Sequence, residues 1–383
     1  MADRKNKEKK RGPVRVLVFL LILLAVLAVV VLAAYRDGTG FDALQRYFAY
    51  GDTEQESGAV CFTYDPSPEN RYAPVGDGLA VLSGTAFQVL DEAGQEVWSV
   101  SVPMENPALV SGGGRAAAYD VGGTELYVAD ASGQLLHLTA DEAEPFISVN
   151  INDKGWLAVT AEKKGYKGAV YVYDTELEMV FEFWSSDRFV TEACVTEDCK
   201  DLAAVTLGQE DSVFISSILL YALDSDVPQA VGQVSDGLAL SITEKGERLA
   251  VLTDTKLAFL ERDGTDGGAY PFGGAYLRDY SLEGEGFSVL LLNRYQSGSL
   301  GRLVTVDDQG QEIASLDVQE QILGVSAAGR YAAVLTGDRL TIYNQELQEY
   351  AALNGTDYAK DVLLRQDGSA LLLSSESARI FLP

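Results

Sequence analysis

The sequence predicts an all-β chain, an eight-bladed β-propeller behind an N-terminal transmembrane helix. Three observations lead there. A glycine followed by a short apolar strand recurs along the chain, the copies are evenly spaced, and one unbroken apolar run near the N-terminus is long enough to cross a bilayer.

The N-terminal elements come first. Arg4, Lys5, Lys7, Lys9, Lys10, Arg11 and Arg15 make residues 1–15 a basic tail, against only Asp3 and Glu8. Residues 16–35 then carry no charge and consist mostly of Leu, Val and Ala. At about 1.5 Å per helical residue such a run spans the roughly 30 Å of a hydrocarbon core. Because the basic cluster precedes the span, the positive-inside rule keeps the tail in the cytoplasm and puts the rest outside the cell membrane. A cleavable signal peptide is the competing reading, since Leu32-Ala33-Ala34 ends the run in small residues. Its apolar region would normally be only about 7–15 residues long. Residues 36–57 form a stalk, in which Phe41, Leu44, Tyr47 and Phe48 fall at helical spacing and predict a short amphipathic helix.

The repeats begin after Gly58. The first piece of each copy reads Gly78-Leu79-Ala80-Val81-Leu82, Gly114-Arg115-Ala116-Ala117-Ala118 or Gly155-Trp156-Leu157-Ala158-Val159, and recurs at Lys200, Gly246, Gly286, Gly329 and Gly368. Successive starts lie 36, 41, 45, 46, 40, 43 and 39 residues apart. A second piece follows, a strand ending in a turn acid and then another strand, as in Phe87-Gln88-Val89-Leu90-Asp91-Glu92-Ala93-Gly94. The same slot holds Asp130, Asp174, Asp224, Asp263, Asp307 and Asn344. Asp bonds the backbone of its own turn, and Gly accepts positive φ. Four short strands per period of about 40 residues are the mark of a propeller. The last copy supplies only three strands, so residues 59–64 are expected to close the ring by pairing with it and hiding a free edge. A seven-bladed ring is the alternative, and a pair of β-sandwiches the blander one.

Composition then bounds the function. The formal net charge is −28, and removing the eight basic and two acidic side chains of the first 36 residues leaves 21 Lys+Arg against 55 Asp+Glu. A surface at −34 repels phosphate backbones, so no nucleic-acid partner is expected. The single histidine, His137, leaves no His-based metal site or triad, and there is no Gly-x-Ser-x-Gly and no phosphate loop. No cofactor, metal or catalytic residue is therefore assigned. Asp263-Gly264-Thr265-Asp266-Gly267-Gly268 and Asp224-Ser225-Asp226 faintly resemble Ca²⁺ loops but lack a closing Glu, and read as hairpin turns. Cys194 and Cys199 flank a short turn and could form a disulfide outside the cell, or simply pack as two thiols. Cys61 has no partner and is expected to be buried.

Loop length points to a face. Connections between the second and third strands of a blade share one face, and three are long: residues 162–168, 207–212 and 293–302. Lys163, Lys164, Tyr166 and Lys167 in the first, with Arg294, Tyr295 and Arg302 in the last, are candidate binding residues, because Tyr and Arg anchor interfaces. The plain alternative is that long tips are only solvated.

Gly165-Tyr166-Lys167-Gly168 before Val170-Tyr171-Val172-Tyr173-Asp174, then Phe183-Trp184-Ser185-Ser186 and Asp198-Cys199-Lys200-Asp201-Leu202-Ala203, carry a resemblance. The chain resembles WD40-like and quinoprotein-like propellers, and more closely an uncharacterised Gram-positive bacterial family of single-pass, membrane-anchored extracellular propellers. That resemblance implies the fold and the anchor but no activity. The Gly-His and Trp-Asp signatures of WD40 repeats are absent, as are the repeated tryptophan docking motifs of quinoprotein dehydrogenases. Two function classes follow. One is a non-catalytic binding or scaffold module of the cell envelope, holding a protein or glycan partner on one propeller face. The other is an envelope enzyme acting on cell-wall glycan through acidic residues near the axis, and close carboxylates in an axial pocket would favour it.

Overall fold

The computed structural model describes residues 59–210 and 213–383, together with 22–24, 26 and 46. The tail, the apolar span and the stalk thus lie almost wholly outside the described residues. Among those described, no helix is long and apolar enough to cross a membrane.

Residues 59–383 form eight four-stranded antiparallel sheets, each built from strands consecutive in sequence except the last. Blade 1 runs Arg71–Val75, Gly78–Leu82, Ala86–Leu90 and Glu96–Ser101, from the axis outward. Blades 2 to 7 repeat this order over residues 107–139, 146–185, 189–234, 239–271, 276–318 and 322–354. Blade 8 takes Asp361–Leu364, Ala370–Leu373 and Ser377–Phe381 from the C-terminus and its outer strand, Val60–Thr63, from the start of the ring. Eight blades are present, so the seven-bladed alternative falls away.

The second strands show why the pattern was so regular. Gly78–Leu82, Leu157–Ala161 and Phe287–Asn293 are buried along their whole length, because each sheet has a neighbour on both faces. The core is therefore a ring of interblade clusters. Ala73, Leu82, Phe87 and Val89 of blade 1 meet Ala116, Ala118 and Tyr127 of blade 2. Leu252, Phe259 and Phe272 of blade 5 meet Leu290, Leu292 and Val304 of blade 6. At roughly 25 cal/mol per Å² of apolar surface, these clusters are the main force holding blade to blade.

The turn acids do what their chemistry allows. Asp91 Oδ1 accepts from the N–H groups of Ala93 and Gln95, and Asp307 Oδ1 from those of Gln309 and Gln311. Gly94 sits in the left-handed region at φ 73°, and a Cβ there would lie 2.2 Å from the Cys61 carbonyl oxygen of the closing strand. That glycine is required twice, by the turn and by the strand it abuts.

Candidate functional site

Strand direction sorts the connections. With all four strands antiparallel, the second-to-third loops and the blade-to-blade connections emerge on one face, called here the loop face. The first-to-second and third-to-fourth turns emerge on the other, the turn face.

The two differ in chemistry. The exposed aromatic side chains among the described residues are Tyr166, Trp184, Phe189, Phe214, Tyr276, Tyr280, Tyr295 and Tyr358. All but Tyr280, which is carried on the inner strand Tyr276–Ser281, sit at the loop-face ends of their elements. The turn face instead collects the turn acids and the groups that hold them. Arg262 binds Asp198 (Nη1 to Oδ2, 2.8 Å) and Glu244. Lys245, buried, donates to three carbonyls of blade 6, Leu282 (2.5 Å), Gly284 (2.7 Å) and Phe287 (2.9 Å). The Asp263 carboxylate accepts from the N–H and hydroxyl of Thr265, so it is spent on its own hairpin.

The loop face is most developed at blades 3 and 4. Lys163 pairs with Glu144 at 2.7 Å, and that hydrogen bond holds the Glu144 carboxyl below its usual range. Its ammonium also lies 5.0 Å from the centroid of Trp184, which Tyr166 meets edge-on at 5.2 Å. Lys167 lies 4.6 Å from the ring of Phe189. Beside them Arg188 donates to the Ile215 carbonyl at 2.9 Å, next to the highly exposed Phe214. Aromatic rings and cations held on one another and left in solvent can act as anchors for a partner. Sequence reasoning found Lys163, Lys164, Tyr166 and Lys167 here, but missed Trp184, Phe189, Phe214 and Arg188. The missed signal was an outer strand, Met179–Ser185, with too many apolar residues for one buried face.

Residues 207–210, expected to be loop, are strand. The hairpin of Asp201–Glu210 and Val213–Ala222 stays paired from Asp201↔Ala222 to Glu210↔Val213 and outruns its neighbours in length. Residues 211 and 212 lie outside the described residues.

Arg294, Tyr295 and Arg302 belong to blade 6 and share the face with Lys163 but not the site, since blades 4 and 5 intervene. Arg302 Nη2 bonds Glu312 Oε1 at 3.0 Å, and Arg294 and Arg302 line a cleft of about 400 Å³.

Three carboxyls occupy the inner strands of blades 4, 6 and 8. Burial pushes Glu192 up to about 7 and Asp361 up to about 6, and raises Asp279 as well. Each serves the backbone. Asp279 Oδ2 accepts from the Val325 N–H of the next blade at 3.1 Å, and Asp361 Oδ1 from Val362 N–H at 2.8 Å. Glu192 Oε1 takes the Ser241 hydroxyl at 3.4 Å and its carboxylate takes the Ile242 N–H. Inner strands have an unpaired edge toward the axis, and these side chains satisfy it. Among the described residues no group of three acids, cysteines or histidines is placed to hold a metal ion.

Cys194 and Cys199 are free thiols, contrary to the disulfide alternative. Cys194 packs among Ala203, Ile218 and Ile242 toward blade 5, and burial raises its pKa. Cys199, at φ 58° in the turn, faces the other way, 3.6 Å from Asn152 Nδ2 of blade 3. Cys61 is half-buried rather than buried, donating to the Ala378 carbonyl at 3.4 Å. His137 stacks on Tyr127 at 4.1 Å and meets Glu125 at 2.6 Å, a packed surface residue.

A family model described as "Family of unknown function (DUF5711)" matches residues 56–349. No curated protein matches the sequence. Among solved structures, the C-terminal WD40 domain of Sif2 is 15% identical over 86% of this chain and 99% of its own, with a TM-score of 0.61. The computationally designed Ika8 protein is 10% identical over 85% and 100%, also at 0.61. BamB from Moraxella catarrhalis is 13% identical over 85% and 97%, at 0.53. At such identities the likeness is one of fold.

Proposed function

We propose for this chain, which belongs to the DUF5711 family and inherits no activity from it, the role of a membrane-tethered, extracytoplasmic binding or scaffold module of the cell envelope. One observation carries the reading: exposed aromatics gather at the loop face, densest at blades 3 and 4, where Lys163 and Tyr166 lie against Trp184, Lys167 lies over Phe189, and Phe214 stands exposed next to the Ile215 carbonyl that Arg188 holds. Water-exposed rings cost free energy in a monomer and repay it when a partner covers them. The tether rests on the uncharged residues 16–35 and the basic tail before them.

The enzyme alternative draws on Glu192, Asp279 and Asp361, whose raised pKa values are the kind active sites use. Their engagement with backbone N–H groups supports a structural role instead.

In-cell crosslinking of the full chain tests the binding reading. A partner should co-purify with the native protein and be lost from the Trp184→Ala/Phe189→Ala/Phe214→Ala variant. Equal yield from both would sink it. The tether is tested by protease added to intact cells, which should shave the ring from the membrane; protection until lysis would contradict it.

A further inference from the structure

The loop of blade 6 between Phe287–Asn293 and Gly301–Asp307 walls a cleft of about 400 Å³, toward the small end of the range for ligand sites. The cleft has an apolar lining made by Phe272, Ala275, Leu292, Leu300 and Val318. Phe272 and Leu292 are buried core residues, so that part of the lining is rigid, while Leu300 stands exposed above it.

Its polar groups are unequal. Arg302 is engaged with Glu312 (3.0 Å) and Ser315 (2.5 Å), and the Tyr270 hydroxyl donates to the other Glu312 oxygen at 2.8 Å. This end is internally neutralised. Arg294, also lining the cleft, makes no ion pair or side-chain hydrogen bond among the described residues; its guanidinium only lies 5.7 Å from the ring of Tyr295. The site therefore offers one uncommitted fork of donors beside an apolar surface. Asp317 in the same lining weighs against a multiply charged anion such as a phosphate.

We propose that this cleft binds a carboxylate carried next to an apolar side chain, as found at a peptide C-terminus or on an acidic residue beside an aliphatic one. The carboxylate sits on Arg294 in a bidentate pair, and the apolar group covers Leu292, Leu300 and Phe272. This does not depend on the aromatic cluster of blades 3 and 4, and each can fail without the other.

The test is calorimetric titration of the full chain, reconstituted in lipid nanodiscs, with three short peptides. Acetyl-Phe-Leu carries a terminal carboxylate, acetyl-Phe-Leu-amide carries none, and acetyl-Leu-Asp-amide carries it on a side chain. At least one of the two acids should bind about tenfold or more tightly than the neutral amide. Which acid wins identifies the source of the carboxylate. Arg294→Gln should abolish the preference with unchanged thermal melting, and Lys200→Gln, at an exposed cation of the turn face, should keep it. Equal binding of acids and amide, an unaffected Arg294→Gln protein, or no binding by any peptide would each overturn the assignment.

Discussion

The two faces of this ring use similar residue types for opposite ends. On the turn face, charges are consumed by the fold: Lys245 is buried on three carbonyls, Arg262 pairs with Asp198, Asp201 and Glu244, and Asp91 and Asp307 bond their own turns. On the loop face, Lys167 lies over the exposed ring of Phe189, and Lys163, besides its pair with Glu144, lies over the exposed ring of Trp184. A charge that satisfies backbone groups stabilises the native state. A charge that decorates an exposed ring does little for it, and its value appears when something binds.

The largest effect that would break this contrast is at Lys245. Lys245→Met leaves three buried carbonyls without a donor and should cost about 3–5 kcal/mol in urea unfolding. A loss below about 1 kcal/mol would show that the turn face is not structural in this sense. Gly94→Ala comes next, at about 2–3 kcal/mol, since it meets both positive φ and the Cys61 carbonyl. Its damage should appear first as hydrogen exchange of Val60–Thr63, the strand that closes the ring.

Glu192 sharpens the comparison through pH. Its folded pKa of about 7 exceeds the ordinary 4.5, so the folded state holds the proton more tightly. The carboxyl therefore costs no stability below pH about 4.5, and its cost grows until pH passes about 7. Glu192→Gln should gain stability relative to the native protein between pH 5 and 8, by on the order of 3 kcal/mol at most. A difference that does not change with pH would mean the group is not buried as described. The smallest effect belongs to the loop face. Trp184→Ala should change unfolding free energy by only about 1 kcal/mol or less, because the ring is already 43% exposed.

Fold and site were unequally legible. The period, the turn acids and the three-stranded last copy are local patterns, and each is written in consecutive residues such as Asp91 to Gly94. The site is not local. Trp184 and Phe189 come from different blades, and the surplus of apolar residues in Met179–Ser185 shows only that some ring must stay in solvent, not which one or beside what. Residues 207–210 looked like loop because Gly208 and Gln209 are poor strand formers, yet register with Ile215 and Phe214 overrides that. Cys194 and Cys199 are close in sequence, but strand and left-handed turn aim them at different blades. Lys163 and Arg294 resemble each other as loop cations, and only the blade count separates them.

Footprinting the native protein tests the central claim most directly. Hydroxyl-radical labelling of the full chain in intact envelopes can be set against the purified chain. Tyr166, Trp184, Phe189 and Phe214 should be protected in the envelope and labelled in isolation, while exposed turn-face residues such as Met179 and Val227 react equally in both. Protection confined to Met179 and Val227, or no difference at the four aromatics, would contradict the account.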